Sequence, residues 1–179
     1  MKKVILFIIA AFSLLPSFVS AAFGLRGAYV LIPKDPEHAK GYQASVWYDP
    51  ETLIWRKFHL FFEADFSHYW VTSTPYYRTT SMFTIAPVVR YIFNKHFSIS
   101  PFLEFSVGPS YLTHNRLDHQ KLGEHFVFQD RVGIGAIIGE MQRLSISFNV
   151  LHYSNASLCN HNSGITVPLM LAVGYKISR

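Results

Sequence analysis

The sequence predicts an all-β fold: an eight-stranded antiparallel transmembrane β-barrel of the bacterial outer membrane. Three observations support this prediction. Apolar and polar residues alternate with a period of two over most of the chain. Half of the residues are hydrophobic and 16% are aromatic, yet beyond the N-terminal segment no apolar run is long enough for a transmembrane helix. The chain also begins with an export signal, and an exported, aromatic-rich chain of this kind is typical of an outer-membrane barrel.

The export signal is residues 1–22, in which Lys2 and Lys3 precede an apolar run that ends in small residues. This layout predicts a secretory signal peptide with cleavage after Ala21 or Ala22. An N-terminal membrane anchor is the alternative, but Pro16 interrupts the apolar run and a small-residue cleavage site closes it. Residues 23–179 are therefore expected to form a single barrel domain.

Eight strands follow from the alternation, and no helical period competes over comparable lengths. They cover about residues 23–32, 41–50, 57–72, 80–93, 97–113, 125–138, 143–155 and 164–177. In the third strand, Glu63 and Asp65 alternate with Phe62 and Phe66. The fourth, fifth and seventh strands repeat this pattern with the apolar sets Phe83, Ile85, Val89 and Tyr91; Ile99, Leu103, Phe105 and Val107; and Leu144, Ile146, Phe148 and Val150. Pro87 and Pro101 fall on the apolar parity within strands, which predicts local bulges.

The connections between strands alternate in length. Residues 33–40, 73–79, 114–124 and 156–163 form the longer ones, and residues 51–56, 94–96 and 139–142 form the shorter ones. In outer-membrane barrels the long loops face outside and the short turns face the periplasm. Eight strands make a barrel so narrow that side chains fill its interior.

Five charged residues within strands lie on the parity opposite the apolar residues: Glu63, Asp65, Arg90, Glu104 and Arg131. We expect them to form a paired network inside the barrel. A catalytic carboxylate cluster would need open space that such a narrow barrel lacks. A soluble lipocalin-like barrel is the alternative fold, but the polar parity has too few lysines and glutamates to cover a soluble exterior.

Charge and cysteine content limit the partners. Removing Lys2 and Lys3 takes the formal charge from +5 to +3, and the remaining cations are scattered, so no nucleic-acid partner is indicated. A mild positive charge suits an anionic partner such as a phosphorylated glycolipid. The single Cys159 cannot form an internal disulfide. Cys159 and His161 are too few for a metal site, so neither a metal nor another cofactor is expected.

The seventh strand ends in "LHYSN", where His152 and Ser154 continue the parity of Phe148 and Val150. If that parity faces lipid, both polar side chains lie at the outer head-group level. Strand ends are often polar, so chance is one explanation. The other is chemical: residues i and i+2 are neighbours on one face, and a histidine beside a serine can generate a nucleophile for acyl transfer.

The segment "HYSNAS" followed by "NHNSGI" resembles the signature of the outer-membrane lipid A 3-O-deacylases, the PagL family. The similarity in signature covers about residues 149–166, and the signal peptide, length and strand count also match. The resemblance implies that His152 is the general base and Ser154 the nucleophile. It implies an oxyanion site at Asn155 and the amides near Ala156 and Ser157.

The family pattern places a glutamate two residues after the glycine that is Gly164 here, and that position holds Thr166. Threonine cannot supply the charge that stabilises an imidazolium. Beyond Glu140 the chain has no acidic residue. Replacement acids are therefore sought in the outer loops that closure brings near the seventh strand: Asp35, Glu37, Asp118 and Glu124. Alternatively, Asn162 or Thr166 orients His152 through a neutral hydrogen bond.

The sequence thus predicts a serine esterase that removes an ester-linked acyl chain from lipid A, the membrane anchor of lipopolysaccharide, in the outer leaflet. The alternative is a non-catalytic barrel, structural, adhesive or lipid A-binding, with a lapsed site. A homodimer is left open.

Overall fold

A computed structural model describes residues 21–72, 77–94 and 98–177 of the chain. The predicted signal peptide lies outside these residues except for its last two, and Ala22 is the first residue of the first strand. The strands in chain order are β1 (Ala22–Ile32), β2 (Ala39–Asp49), β3 (Ile54–Trp55), β4 (Phe58–Val71), β5 (Thr79–Ile92), β6 (Ile99–Leu112), β7 (Arg116–Leu117), β8 (Gln120–Lys121), β9 (Phe126–Ile138), β10 (Leu144–Ser154) and β11 (Ile165–Lys176).

Eight long antiparallel strands close into a barrel. Their order is β1, β2, β4, β5, β6, β9, β10 and β11, and β11 pairs back onto β1. This confirms the predicted fold, and the strand boundaries agree with the sequence-based ones to within two residues. The short strand β3 pairs with β4 beside a turn, and β7 and β8 form a small hairpin in the third long loop; the alternation had indicated neither.

The interior is filled by side chains, as predicted. Around the middle of the barrel, Arg26 and Arg90 lie 2.9 Å and 2.8 Å from Glu104 oxygens, and Arg131 pairs with Glu63. Their side chains are almost completely buried, apart from Arg90 at 14% exposure. Removing one partner of such a network leaves an uncompensated buried charge.

An apolar cluster closes the barrel at its long-loop end. It includes Tyr69, Leu112 and Tyr153 from the strands, with Leu117 and Leu122 contributed by the third long loop. All five are fully buried. The hairpin of that loop is thus folded over the barrel mouth, and burial of its two leucines holds it there.

The outer surface of the barrel is apolar. Many large side chains on the outward parity are 37–68% exposed, among them Phe83, Ile85, Phe105, Ile134 and Phe148. Within the described ranges, no helix has both the length and the hydropathy to cross a membrane.

The bulges lie elsewhere than predicted. Pro87 and Pro101 pair in register with Phe62 and Ala136. On the other side of β5, the pairing with β6 is interrupted at residues 85–87 but resumes in the same register. The pairing of β11 shifts instead on both of its sides, between Met170 and Val167 against β10 and between Met170 and Leu169 against β1. Pro168 lies in this irregular segment, and a bulge is one of the few places a sheet accepts proline.

Candidate active site

Strand β10 carries His152 and Ser154 on the outer surface of the barrel. Phe148 and Val150, on the same parity, are 48% and 49% exposed, whereas Leu151 and Tyr153 point inward and are fully buried. His152 and Ser154 are half-buried and lie at the C-terminal end of β10. The period of two therefore puts both polar side chains outside, next to an outer loop.

Thr166 of β11 is the hydrogen-bonding partner of the His152 ring. The two residues are directly opposite in the β10–β11 pairing, and His152 Nδ1 lies 3.0 Å from Thr166 Oγ1. The bulge at Pro168 separates this pair from the regular pairing that ends at Asn149 and Met170, and it thereby sets the register of His152 and Thr166. Nδ1 is engaged in this contact, and Nε2 has no hydrogen-bonding partner among the described residues. In the described part of the chain, His152 and Ser154 do not hydrogen-bond each other, and catalytic contacts of this type often tighten only with substrate.

Gly164 forms the wall behind the imidazole. Its φ of +69° is in the left-handed region, and a Cβ at this position would lie 2.7 Å from His152 Cε1. Only glycine satisfies both the backbone conformation and this close approach. The glycine of the family signature is therefore required here by the packing of the ring.

Asn155 organises the loop that follows Ser154. Its fully buried side chain donates from Nδ2 to the carbonyl oxygens of Leu122 and His161, each at 2.7 Å. Its Oδ1 accepts from the Ser157 amide at 2.9 Å, and its own amide donates to Asn162 Oδ1 at 3.0 Å. Asn155 thus ties this loop to the third loop, and Asn162 is occupied in the same network rather than bonded to His152.

Ala156 and Ser157 continue the chain with φ values of +50° and +62°. Consecutive non-glycine residues in this region are strained, and such strain clusters at functional sites. The Ser157 amide is taken by Asn155. The Ala156 amide, by contrast, has no acceptor among the described residues, so of the predicted oxyanion donors it is the one available to an incoming anion.

Of the four predicted replacement acids, only Asp35 comes next to the site. It forms an isolated bridge with Thr166, in which each backbone amide donates to the other's carbonyl, at 3.2 Å and 3.0 Å. Glu37 and Glu124 are exposed in their loops. Asp118 Oδ2 accepts a hydrogen bond from His119 Nδ1 at 2.8 Å, and the Asp118 amide donates to the carbonyl oxygen of Tyr77 in the second long loop.

Asp130 of β9 is an acidic residue that the sequence reasoning missed. It pairs directly with His152 across β9 and β10, is half-buried, and shares the outward parity of Phe128 and Val132. The signal was present in "FQDRVG", where Asp130 has the parity opposite to the interior Arg131. Asp35, Thr166, His152 and Asp130 thus lie side by side on four adjacent segments, and we call this arrangement the polar row.

No group of three or more histidine, cysteine, aspartate or glutamate residues within the described ranges is arranged to hold a metal ion. Cys159 is a free thiol, with Sγ 2.7 Å from Asn155 Nδ2, so its contacts are those of a loop-packing residue.

Comparison with known proteins identifies the family. A family model described as lipid A 3-O-deacylase (PagL) matches residues 41–176, which is most of the chain and includes the whole polar row except Asp35. The chain belongs to the PagL family. It is therefore an outer-membrane β-barrel protein, as the sequence predicted.

Individual relatives agree with this assignment. The lipid A deacylase PagL of Pseudomonas aeruginosa is 38% identical over 82 residues, a match that spans 46% of each chain, so just under half of that relative's length is covered. The crystal structure of the outer-membrane enzyme PagL superimposes with a TM-score of 0.66 at 24% identity, covering 89% of this chain and 100% of that one. Neisserial surface protein A gives a TM-score of 0.53 at 12% identity, covering 88% and 96%. These two structural likenesses concern the fold.

Proposed function

We propose that this chain is a lipid A 3-O-deacylase, a serine esterase that hydrolyses an ester-linked acyl chain of lipid A in the outer leaflet. The observation that carries the proposal is the His152–Thr166 hydrogen bond of 3.0 Å on the outer surface, with Ser154 on the same face two residues after His152. Family membership supports the choice of substrate. Because the site opens sideways from the barrel wall, an acyl chain would reach it directly from the membrane.

In the proposed mechanism, Ser154 Oγ attacks the acyl carbonyl carbon while His152 Nε2 accepts the hydroxyl proton. The resulting oxyanion is bound by the Ala156 amide, which Asn155 and Ser157 hold in position. Collapse of the tetrahedral intermediate releases the sugar hydroxyl of lipid A, which receives its proton from His152. A water molecule then hydrolyses the acyl-enzyme by the same route and regenerates Ser154.

Thr166 would fix the tautomer of His152. If Nδ1–H donates to Thr166 Oγ1, Nε2 is left with the lone pair that a general base needs. A hydroxyl does this without contributing the negative charge of a triad acid. Neither a metal nor an organic cofactor takes part in these steps.

Mass spectrometry of lipid A tests the proposal. Purified, refolded protein should remove one hydroxyacyl chain from lipid A in detergent, and Ser154→Ala should abolish this loss. Ser145→Ala is the matched control, because Ser145 lies on the opposite parity of the same strand and should leave the activity unchanged.

The second candidate is a lipid A-binding barrel without catalysis, favoured by the presence of Thr166 where the family has an acid. Lipid A that stays intact over a range of detergents and pH values, while still binding the protein, would establish this candidate and refute the esterase.

A further inference from the structure

We propose that Asp130 supplies the negative charge that supports His152 in catalysis, in place of the acid that position 166 lacks. The inference rests on the proposed esterase function and adds a residue to it. Asp130 would act through His152, as a positioning residue, without touching the substrate.

The pairing of β9 with β10 makes Asp130 and His152 neighbours on the outer surface, although no hydrogen bond or ion pair joins their side chains in the described structure. Asp130 and His152 are direct partners in this antiparallel ladder, and both lie on the outward parity. Directly opposite residues on one face have Cβ atoms about 4.5–5.5 Å apart. One change of rotamer at that spacing brings a carboxylate to an imidazole edge.

Asp35 is the other carboxylate in the polar row, but it lies farther from the ring. It is paired with Thr166, and Thr166 is paired with His152, so two strand spacings separate Asp35 from His152. Neighbouring strands are about 4.8 Å apart, which makes this roughly 10 Å. Its charge acts on the imidazole over about twice the distance from which Asp130 acts.

The environment of Asp130 on the outer surface is apolar and does not explain the presence of a carboxylate there. Its partner in β6 is Val107, and Val132 follows it on the outward parity; these side chains are 38% and 47% exposed on the apolar surface. A carboxylate on the lipid side of a barrel strand is unfavourable, and ionisable residues in such positions are usually functional. Within the described residues Asp130 forms no ion pair with lysine, arginine or histidine, and the basic residue that the strand pairing places directly opposite it is His152.

The two roles of a triad acid are thereby divided between two residues. Thr166 Oγ1 holds Nδ1 and fixes the tautomer, while Asp130, from the opposite side, stabilises the imidazolium that forms when Ser154 gives up its proton. The other charged groups near the ring are Asp35 and Lys34, which lie beyond Thr166 in the first long loop. Lys121 and His161 belong to the loops around Gly164 and are exposed.

Covalent labelling of Ser154 measures this effect separately from lipid A turnover. A fluorophosphonate probe forms a bond from Ser154 Oγ to phosphorus, fluoride leaves, and the serine proton passes to His152. Rates of labelling and of lipid A deacylation would be measured from pH 5 to 9 for the full-length protein and for Asp130→Asn, Asp130→Glu and Asp35→Asn. Migration of unheated samples in gels reports whether each barrel has folded.

Asp130→Asn should slow labelling at the pH optimum on the order of 10- to 100-fold. It should also move the acid limb of the pH profile to lower pH, because the imidazolium is then less favoured. Asp130→Glu should restore much of the rate, and Asp35→Asn should stay within about 3-fold of the original protein. The Asn variant keeps the shape of the side chain, so a folded barrel is expected.

The proposal is overturned if Asp130→Asn labels at the original rate, if its rate falls without a shift in the pH profile, or if Ser154 of the original protein does not react at all. A larger loss in Asp35→Asn than in Asp130→Asn would assign the role to Asp35 and also overturn it. If labelling depends on Asp130 but lipid A stays intact, the proposed substrate is wrong and the role of Asp130 stands. If lipid A is deacylated equally with and without Asp130, the substrate stands and the role of Asp130 is refuted.

Discussion

Placing a carboxylate back at position 166 should make the site faster. Thr166 is half-buried on the outer surface, with Oγ1 already 3.0 Å from His152 Nδ1, so Thr166→Glu directs a negative charge at the same nitrogen. Two opposite charges 4 Å apart interact by about 4 kcal/mol near a protein surface. Because the site is partly exposed and the glutamate must be ordered, roughly half of that, about 2 kcal/mol, is expected in the transition state. This corresponds to about a 30-fold increase in kcat.

The assay is lipid A deacylation in detergent, with kcat and KM measured separately. Thr166→Gln is the matched control, because it has the length and hydrogen-bonding capacity of glutamate without its charge. An increase in kcat for glutamate alone is the expected result, and Thr166→Glu should also rescue Asp130→Asn, since either carboxylate then stabilises the imidazolium. Equal rates for the Glu and Gln variants would refute the electrostatic reasoning.

Three further predictions concern the frame of the site. Gly164→Ala places a Cβ 2.7 Å from His152 Cε1 at a φ of +69°, so kcat for deacylation should fall on the order of 10-fold or more. Unheated samples should still migrate as folded barrels. An unchanged kcat would contradict the packing argument. Asn155→Ala leaves the Leu122 and His161 carbonyls without their donor, which should destabilise the loop by about 1–3 kcal/mol. Proteolytic cleavage within residues 156–163 should therefore become faster. Asn160→Ala, at an exposed position in the same loop, is the control and should not change the cleavage rate. Arg131→Ala removes a partner of buried Glu63 and should lower the free energy of unfolding in urea by about 3–5 kcal/mol; a loss below 1 kcal/mol would mean that the interior charges are largely compensated without it.

The strands could be read from the sequence because each one is apolar on its outward face and has a period of two. Ile99, Leu103 and Phe105 alternate with Ser100, Glu104 and Ser106, and only a strand separates these two sets onto opposite faces. Lipid on one side and a filled interior on the other impose the same pattern on every strand of a narrow barrel. Strand bounds and the inward direction of Glu63 and Arg131 followed from that constraint.

Part of the candidate site could also be predicted from residues close together in the sequence. His152 and Ser154 are two residues apart, so their common face depends only on the strand period, and Gly164 and Thr166 followed from the signature. The roles that the sequence assigned to His152 and Ser154 remain proposals, which the deacylation assay tests.

Register and loop packing were decided only by the tertiary structure. Four acids were selected from the outer loops, yet Asp118 bonds within its own loop and Asp130, in the neighbouring strand, is the direct partner of His152. Asn155 was expected at the oxyanion, but its side chain is turned into the third loop. Which residues meet across two strands depends on turn lengths, on bulges such as the one at Pro168 and on closure of the barrel. A shift of the register by one residue changes every cross-strand pair. The alternation of apolar and polar residues within a single strand carries no information about this register.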